Sequence, residues 1–394
     1  MSKSNSLSGQ TTLSICHMAG MIDLAALPLW VGALMKFYGL AAPQAGLTVT
    51  MFLAAVVISS VVFAPMFTRL PHRLFACVGF TLAGFAFAGM SLLPVSPESM
   101  TALMVLHAIA GIGVGGSLSV THGVIGRTSN PHRLFGIANV AMAILAIVMF
   151  ATLPGLISTM GGRTVFKAFA ITMGFAAVTS LISFPVIENK IDLPVQDGAR
   201  RRRPLPRAAW LVIGTIICLA LNQAVVFAFV ERIGAFRGFG EGEVQNVLIV
   251  TGFINLLPGL LAVVLQKRLS AVSVGMAGPV LQAVFALCIT AASTLPFFAL
   301  PSIFYVALVI FTTTFMFGLL TEVDTSGRAV AATPAMMMIG SAVGPALGGG
   351  VVAWVGYPGL GWTVAAIASV AVVLMVLTRR ELARIPPQAA TIAA

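Results

Sequence analysis

The chain has 394 residues, 59% hydrophobic and only 8% charged, with a mean hydropathy of +1.03. A soluble domain carries about a quarter charged residues, so this composition excludes that class and indicates a polytopic membrane protein. The net charge of +11 would suggest nucleic acid for a soluble protein, but in a membrane protein lysine and arginine collect on one side of the bilayer.

A helix needs about 20 apolar residues to cross the hydrocarbon core. In chain order such runs lie at roughly 12–35, 44–66, 74–94, 100–121, 134–157 and 165–187, then at roughly 208–231, 243–265, 270–293, 300–321, 329–355 and 360–378. The first run has one early lysine and no small-residue cleavage site behind it, so it reads as a retained span rather than a signal peptide. The one long polar segment, "ENKIDLPVQDGARRRRPLPR" (188–207), is a basic linker between an N-terminal six-helix bundle (1–187) and a C-terminal one (208–394) that ends in a short tail. The expected class is therefore an all-α membrane protein of twelve transmembrane helices in two pseudo-symmetric bundles.

With the N-terminus placed inside, seventeen of the 22 basic residues fall in cytoplasmic segments. This bias predicts both termini in the cytoplasm of a multi-pass protein of a plasma (bacterial inner) membrane, and it removes the case for nucleic acid. The halves also repeat. Arg73 ("TRLPHRLF") and Arg268 ("LQKRLSA") each follow the second span of a half, and Arg133 and Arg328 each open the fifth. Both pairs lie 195 positions apart, close to half the chain, which argues for duplication. Cys16, Cys77, Cys218 and Cys288 sit in apolar runs without C-x-x-C spacing, so no metal site or disulfide framework is indicated.

Asp23, in "AGMIDLAALPLW", is the exception in an apolar span. Of eleven acidic residues it alone lies near mid-membrane, about eleven residues into the first run. An ionised aspartate there costs about 2.5–3.5 kcal/mol on insertion scales, and no lysine or arginine lies at its depth. Such a carboxyl can hold a proton and exchange it. A protonated hydrogen-bond donor between helices is the structural alternative. Asp23 and Trp30, seven apart, share a helix face.

Glycine spacing is the other recurrent signal. Gly111 and Gly115 in "HAIAGIGVGG", with Gly113 between them, and Gly340, Gly344 and Gly348 in "GSAVGPALGGG", with Gly349 beside them, let helix backbones approach closely. Pro345 adds a bend. Packing and a hinge for alternating access are both compatible with these residues.

Twelve spans, a basic central loop and parallel halves resemble the major facilitator superfamily over nearly the whole chain. The family's loop G-x-x-x-D-R-x-G-R-R corresponds to "APMFTRLPHRL", where Arg69 and Arg73 are kept while Ala64 and Thr68 replace a glycine and the aspartate. His107 stands where the family often has an arginine, and the fifth span lacks the antiporter signature. The resemblance implies a cavity lined by spans 1, 4, 7 and 10. Asp23, Trp30, His107, Asn222, Gln223, Tyr305 and Thr312, with Asn255 from span 8, are then the cavity candidates; Gln282 in span 9 fits no such role. Convergent polar groups in an apolar cavity make a small-molecule site, with Asp23 and His107 as proton carriers. Each of these polar residues also has a packing alternative.

The function implied is secondary transport of a small solute, with the proton as coupling ion and no other cofactor or metal. With no buried cation for an anionic solute, a neutral or cationic, partly apolar compound is expected. Export by solute/proton antiport is slightly favoured over proton-linked uptake. A channel or non-transporting receptor remains an alternative, but no charged ring or filter loop is visible. No paired carboxylates or nucleophile–base motif indicates an enzyme. A cytoplasmic gate is expected from Arg69, Arg73, Arg133, Lys267, Arg268 and Arg328 with Glu322 and Asp324. The partners expected are the lipid bilayer, the solute and protons, and the protein should be a monomer.

Overall fold

The computed structural model describes residues 3–186, 204–324, 329 and 333–384. Residues 188–203 of the basic linker and Arg328 lie outside the described residues. Among the described residues eleven helices are long and apolar enough to cross a membrane. In lipid every backbone polar group must pair within the protein, and helices achieve this locally.

Spans 2 to 6 are the helices Ala42–Phe63, His72–Leu92, Met100–Ile125, Pro131–Met160 and Arg163–Ser183. Spans 9 to 12 are Ala271–Ala291, Leu295–Val323, Thr333–Val355 and Pro358–Ala383. The other three are interrupted. Span 1 runs as Leu7–Gly20 and Ile22–Lys36, separated at Met21. Span 7, Arg207–Phe227, is followed by a short helix, Val230–Phe236. Span 8 is divided into Glu241–Ile254 and Pro258–Leu265, since Pro258 has no N–H to continue the ladder. This division leaves neither piece long enough to count as a span alone and reconciles eleven long helices with twelve crossings.

The ends of the bundle can be told apart by their loops. At the terminal end Lys3 bridges Val186 and the Ser4 N–H donates to the Val186 carbonyl at 3.1 Å, tying the start of the chain to the end of span 6. The opposite, distal end repeats its own chemistry in both halves. Gly39 and Gly238 adopt positive φ after spans 1 and 7, as do Gly161 and Gly356 after spans 5 and 11. Directly after the first pair, the Ala41 N–H donates to Gln44 Oε1 and the Gly240 N–H to Glu243 Oε2, both at 2.8 Å, opening spans 2 and 8. The left-handed backbone favours glycine at these turns, and their repetition marks the duplication more finely than the arginines do.

Within the halves small residues set the spacing. An added Cβ on Gly111 would lie 2.8 Å from the Ala55 Cβ on span 2, and one on Gly113 would lie 3.2 Å from the Ala83 N on span 3. Gly115 presses on Val56 and Ser59 of span 2. Gly340, Gly344 and Gly348 do the same against span 7, at Ala220, Ala224 and Val225. Without a hydrophobic force between helices in lipid, such close backbone packing supplies the cohesion.

Candidate functional site

The two halves meet from the distal end to about the middle of the bundle, and the meeting has a repeated chemistry. Pro154 lacks an N–H, so the Phe150 carbonyl of span 5 has no helical partner. Gln245 Nε2 of span 8 donates to that carbonyl at 3.2 Å and to the Ala151 carbonyl at 3.1 Å. On the other side of the interface Thr50 of span 2 inserts into span 11 beside Pro345. Its hydroxyl donates to the Ala342 carbonyl at 2.8 Å and accepts from the Ala346 N–H at 3.2 Å, replacing one turn of the helical ladder. Gly46 and Gly349 let spans 2 and 11 touch, each backbone facing the other helix at Pro345 and Ala42. Gly252 of span 8 lies against Ile147 of span 5. An ion pair, Lys36 to Glu241, crosses at the distal rim.

Towards the terminal end these same spans present apolar side chains outward: Ile58, Val61 and Val62 on span 2, and Leu260, Leu261 and Val264 on span 8. The hydrogen bonds and the ion pair just described join the halves in this distal seal.

Asp23 sits at the break in span 1. Met21 leaves helical geometry (φ −101°, ψ 31°), its N–H returning to the His17 carbonyl at 3.0 Å. Asp23 is thus in the first turn of a new helix, where N–H groups lack intrahelical partners. Its carboxyl group, only 5% exposed, lies beside the N–H groups of Asp23 and Leu24. A helix N-terminus favours negative charge, so the break offsets part of the burial cost. Pro28 frees the Leu24 carbonyl in the same helix. Among the described residues Asp23 is the one carboxylate in the interior of a span rather than at its end.

The other cavity candidates do not converge on it. Trp30 is fully buried among Phe52, Phe87 and Phe169 inside the N-terminal bundle, and its Nε1–H donates to His107 Nε2 at 3.0 Å. His107 Nδ1 lies 2.6 Å from the Leu103 carbonyl, which fixes Nδ1 as the donor and Nε2 as the acceptor. Both ring nitrogens are thereby satisfied, and in this structure Trp30 and His107 lie fully buried within the N-terminal bundle. Asn222, Tyr305 and Gln282 form a comparable buried network in the C-terminal bundle. Asn222 Nδ2 donates to Gln282 Oε1 at 3.2 Å, Gln282 Nε2 to the Leu219 carbonyl at 3.1 Å, and the Tyr305 hydroxyl to the Asn222 carbonyl at 2.8 Å. Gln282 thus has its explanation as the partner of Asn222. Thr312, fully buried, bonds the Leu308 carbonyl and packs on Gly278. Gln223 and Asn255 are partly exposed, and Asn255, at the break in span 8, has a buried Oδ1 without a partner.

A histidine pair escaped the sequence reading. His17 Nδ1 and His122 Nε2 are 2.9 Å apart between spans 1 and 4, with Phe135 of span 5 against both rings. One nitrogen must donate, so the pair shares a proton.

The basic residues at the terminal end are dispersed. Arg69, Arg133, Lys267, Arg268 and Glu322 are exposed, while Arg73 Nε donates to the Leu181 carbonyl at 2.6 Å. Asp324 is buried and accepts the Ala329 N–H at 2.8 Å.

The Major Facilitator Superfamily family model matches residues 13–322. The fold is similar to that of a D-xylose–proton symporter, with a TM-score of 0.73, 15% identity, and coverage of 94% of this chain and 96% of that one. It is also similar to a bacterial homologue of the human lysosomal transporter Spinster in an inward-facing and occupied conformation, with a TM-score of 0.71, 14% identity, and coverage of 98% and 100%. No curated protein sequence matches the chain. The match over most of the chain and the two six-helix bundles joined at one end agree: the chain belongs to the Major Facilitator Superfamily.

Proposed function

We propose that the protein is a secondary transporter that moves a small neutral or cationic, partly apolar solute by alternating access, with the proton as coupling ion. The observation that carries the reading is the seal of hydrogen bonds and an ion pair that joins the two bundles at the distal end. Two bundles joined at one end can rock to close the other, which is the geometry of domain-closure transitions. The excess of basic residues in the terminal-end segments supports a cytoplasmic terminal end; in this reading the sealed distal end faces outward and the structure faces inward. When the bundles rock, Glu322 and Asp324 come to pair with the basic residues at the cytoplasmic end.

Asp23 carries the coupling proton in this reading. Its isolation at a helix break supports the role, because a discontinuous span concentrates unpaired backbone polarity where ions bind. Export in exchange for protons suits a solute without negative charge; proton-linked uptake is the second direction. The burial of Asp23 on its own N–H groups favours a purely structural role as the competing reading.

Reconstituted protein under an imposed pH gradient, assayed against a panel of neutral and cationic amphiphilic solutes, tests the proposal. Solute-dependent proton flux is expected from the wild type and is lost in Asp23→Asn. That variant still exchanges solute between equal concentrations, because exchange need not move a proton. Proton flux equal to wild type in Asp23→Asn would leave Asp23 the structural role alone.

A further inference from the structure

The distal seal encloses a cavity of about 140 Å³ between the halves. Leu29 and Phe37 of span 1, Ile157 of span 5 and Leu248 of span 8 make its body apolar. Glu231 and Arg232 line it from the short helix Val230–Phe236, and the exposed ion pair of Lys36 with Glu241 lines it at the distal rim. Glu231 and Arg232 are consecutive on their helix, and consecutive side chains do not face each other. Arg232 Nε is accordingly buried without a hydrogen-bond partner. The Glu231 carboxylate rests across the interface on the bare backbone of Gly32, where an added Cβ would be 2.8 Å from the Glu231 Cδ. Lys36 is engaged by Glu241, so among the described residues the Glu231 carboxylate has no hydrogen bond or ion pair of its own. One cavity thus presents an unpaired carboxylate, an unpaired guanidinium nitrogen and an apolar floor.

We infer that this cavity is a binding site for a small zwitterion with an apolar body, of the size and charge of a single α-amino acid, and that the ligand holds the seal closed. Its ammonium group meets Glu231, its carboxylate meets Arg232, and its side chain fills the space between Leu29, Ile157 and Leu248. The effect on the seal rests on the alternating-access reading above; the binding itself does not. The ligand class differs from that of the proposed solute, because no cation lies at the depth of Asp23 whereas this cavity holds one group of each sign. The ligand is therefore a regulator that arrives from the distal side.

Size and linkage agree with this assignment. An apolar cavity of about 150 Å³ holds a benzene ring, so the floor here has room for one ring or a branched aliphatic group. A guanidinium takes a carboxylate through two parallel N–H donors, and the free Arg232 Nε is one such donor. A ligand with a single charge would satisfy Glu231 or Arg232 and leave the other unpaired. The charged walls come from the C-terminal half, while Leu29, Phe37 and Ile157 come from the N-terminal half. Parting the halves removes the latter, so the complete site exists only in the closed state. A ligand that binds one state alone shifts the equilibrium towards it, by about tenfold at about ten times its dissociation constant.

The test is equilibrium binding of radiolabelled L-phenylalanine to the full chain in lipid nanodiscs at one fixed pH. Saturable binding is expected, with phenethylamine and 3-phenylpropionate, which each keep one of its charges, competing at least about tenfold less well. Glu231→Gln and Arg232→Gln should each weaken binding by a similar factor, Arg232→Lys should recover part of it, and Asp23→Asn should bind as the parent does. Should a variant fail to insert, the two analogues carry the same test on the unaltered chain. No saturable binding overturns the inference, as do analogues that compete equally well or binding that survives both Gln substitutions. Loss in Asp23→Asn with retention in the Gln variants would put the ligand in the solute path and also overturn it. Spin labels at Met160→Cys and Phe236→Cys, exposed positions on the distal ends of the two halves, then read the seal in a chain without the four native cysteines. Saturating L-phenylalanine should lower the long-to-short distance ratio about tenfold; an unchanged ratio overturns the effect on the seal. A distal distance that never lengthens under any condition overturns the alternating-access reading, while the binding measurement decides the site by itself.

Discussion

Thr50→Val is the sharpest perturbation of the seal, because it keeps the side-chain shape and removes only the hydroxyl that enters span 11. In the closed state that hydroxyl makes two bonds, at 2.8 Å to the Ala342 carbonyl and 3.2 Å from the Ala346 N–H. Once it is gone, Ala346 can bond Ala342 within its own helix, since the two are four residues apart. The net loss is then about one hydrogen bond rather than two. Bonds between membrane helices average about 0.6 kcal/mol, so opening should become about threefold more populated. The assay is labelling of Leu248→Cys, a position only 2% exposed on the span-8 side of the seal, by a membrane-impermeant thiol reagent applied from the distal side. The background chain lacks the four native cysteines. Thr50→Val should label about three times faster, and Thr50→Ser, which keeps the hydroxyl, should match the parent. Equal labelling in all three chains would refute the claim that this bond holds the seal.

Gln245→Leu should raise the same labelling rate by a similar factor, because the Phe150 carbonyl left by Pro154 loses its donor; adding Pro154→Ala should recover part of the effect. Gly46→Ala should also open the seal, since its Cβ would press on the span 11 backbone at Pro345. Gly111→Ala, which crowds span 2 within one bundle, should instead lower the thermal unfolding temperature and leave distal labelling unchanged. Gln282→Leu should cost about 1–3 kcal/mol by stranding buried polar groups, read as a lower unfolding temperature in detergent without a change in the distal distance.

The crossings, the halves and their 195-residue offset were legible because apolar length and basic loops are imposed by the bilayer itself. The glycines were legible as close crossings, but which helix each one meets was not. Helical spacing gives a shared face and does not name the neighbour. That is why spacing could put Trp30 and Asp23 on one face but could not show that Trp30 packs against Phe52, Phe87 and Phe169 inside the N-terminal bundle. Gln282 was unexplained for the same reason, its partner Asn222 being sixty residues away in sequence. His122 was missed because span 4 was ended at 121, one residue short of it; the helix continues to Ile125. The break at Met21 had no proline at the position itself to signal it. Thr50 and Gln245 carry no motif, and their role emerges only where Pro345 and Pro154 disturb the facing helix.

The account stands on two bundles that rock about a distal seal, and paired distances at both ends test it most directly. One labelled pair is Met160 with Phe236 at the distal end; the other is Met66 with Leu269 at the terminal end, both exposed and on opposite halves. The pairs are measured by dipolar spectroscopy in lipid, across conditions that change the populations, including Thr50→Val. The account predicts inverse behaviour, with the terminal distance shortening as the distal distance lengthens. Distances that rise and fall together, or a terminal pair that never shortens while the distal pair opens, would contradict it.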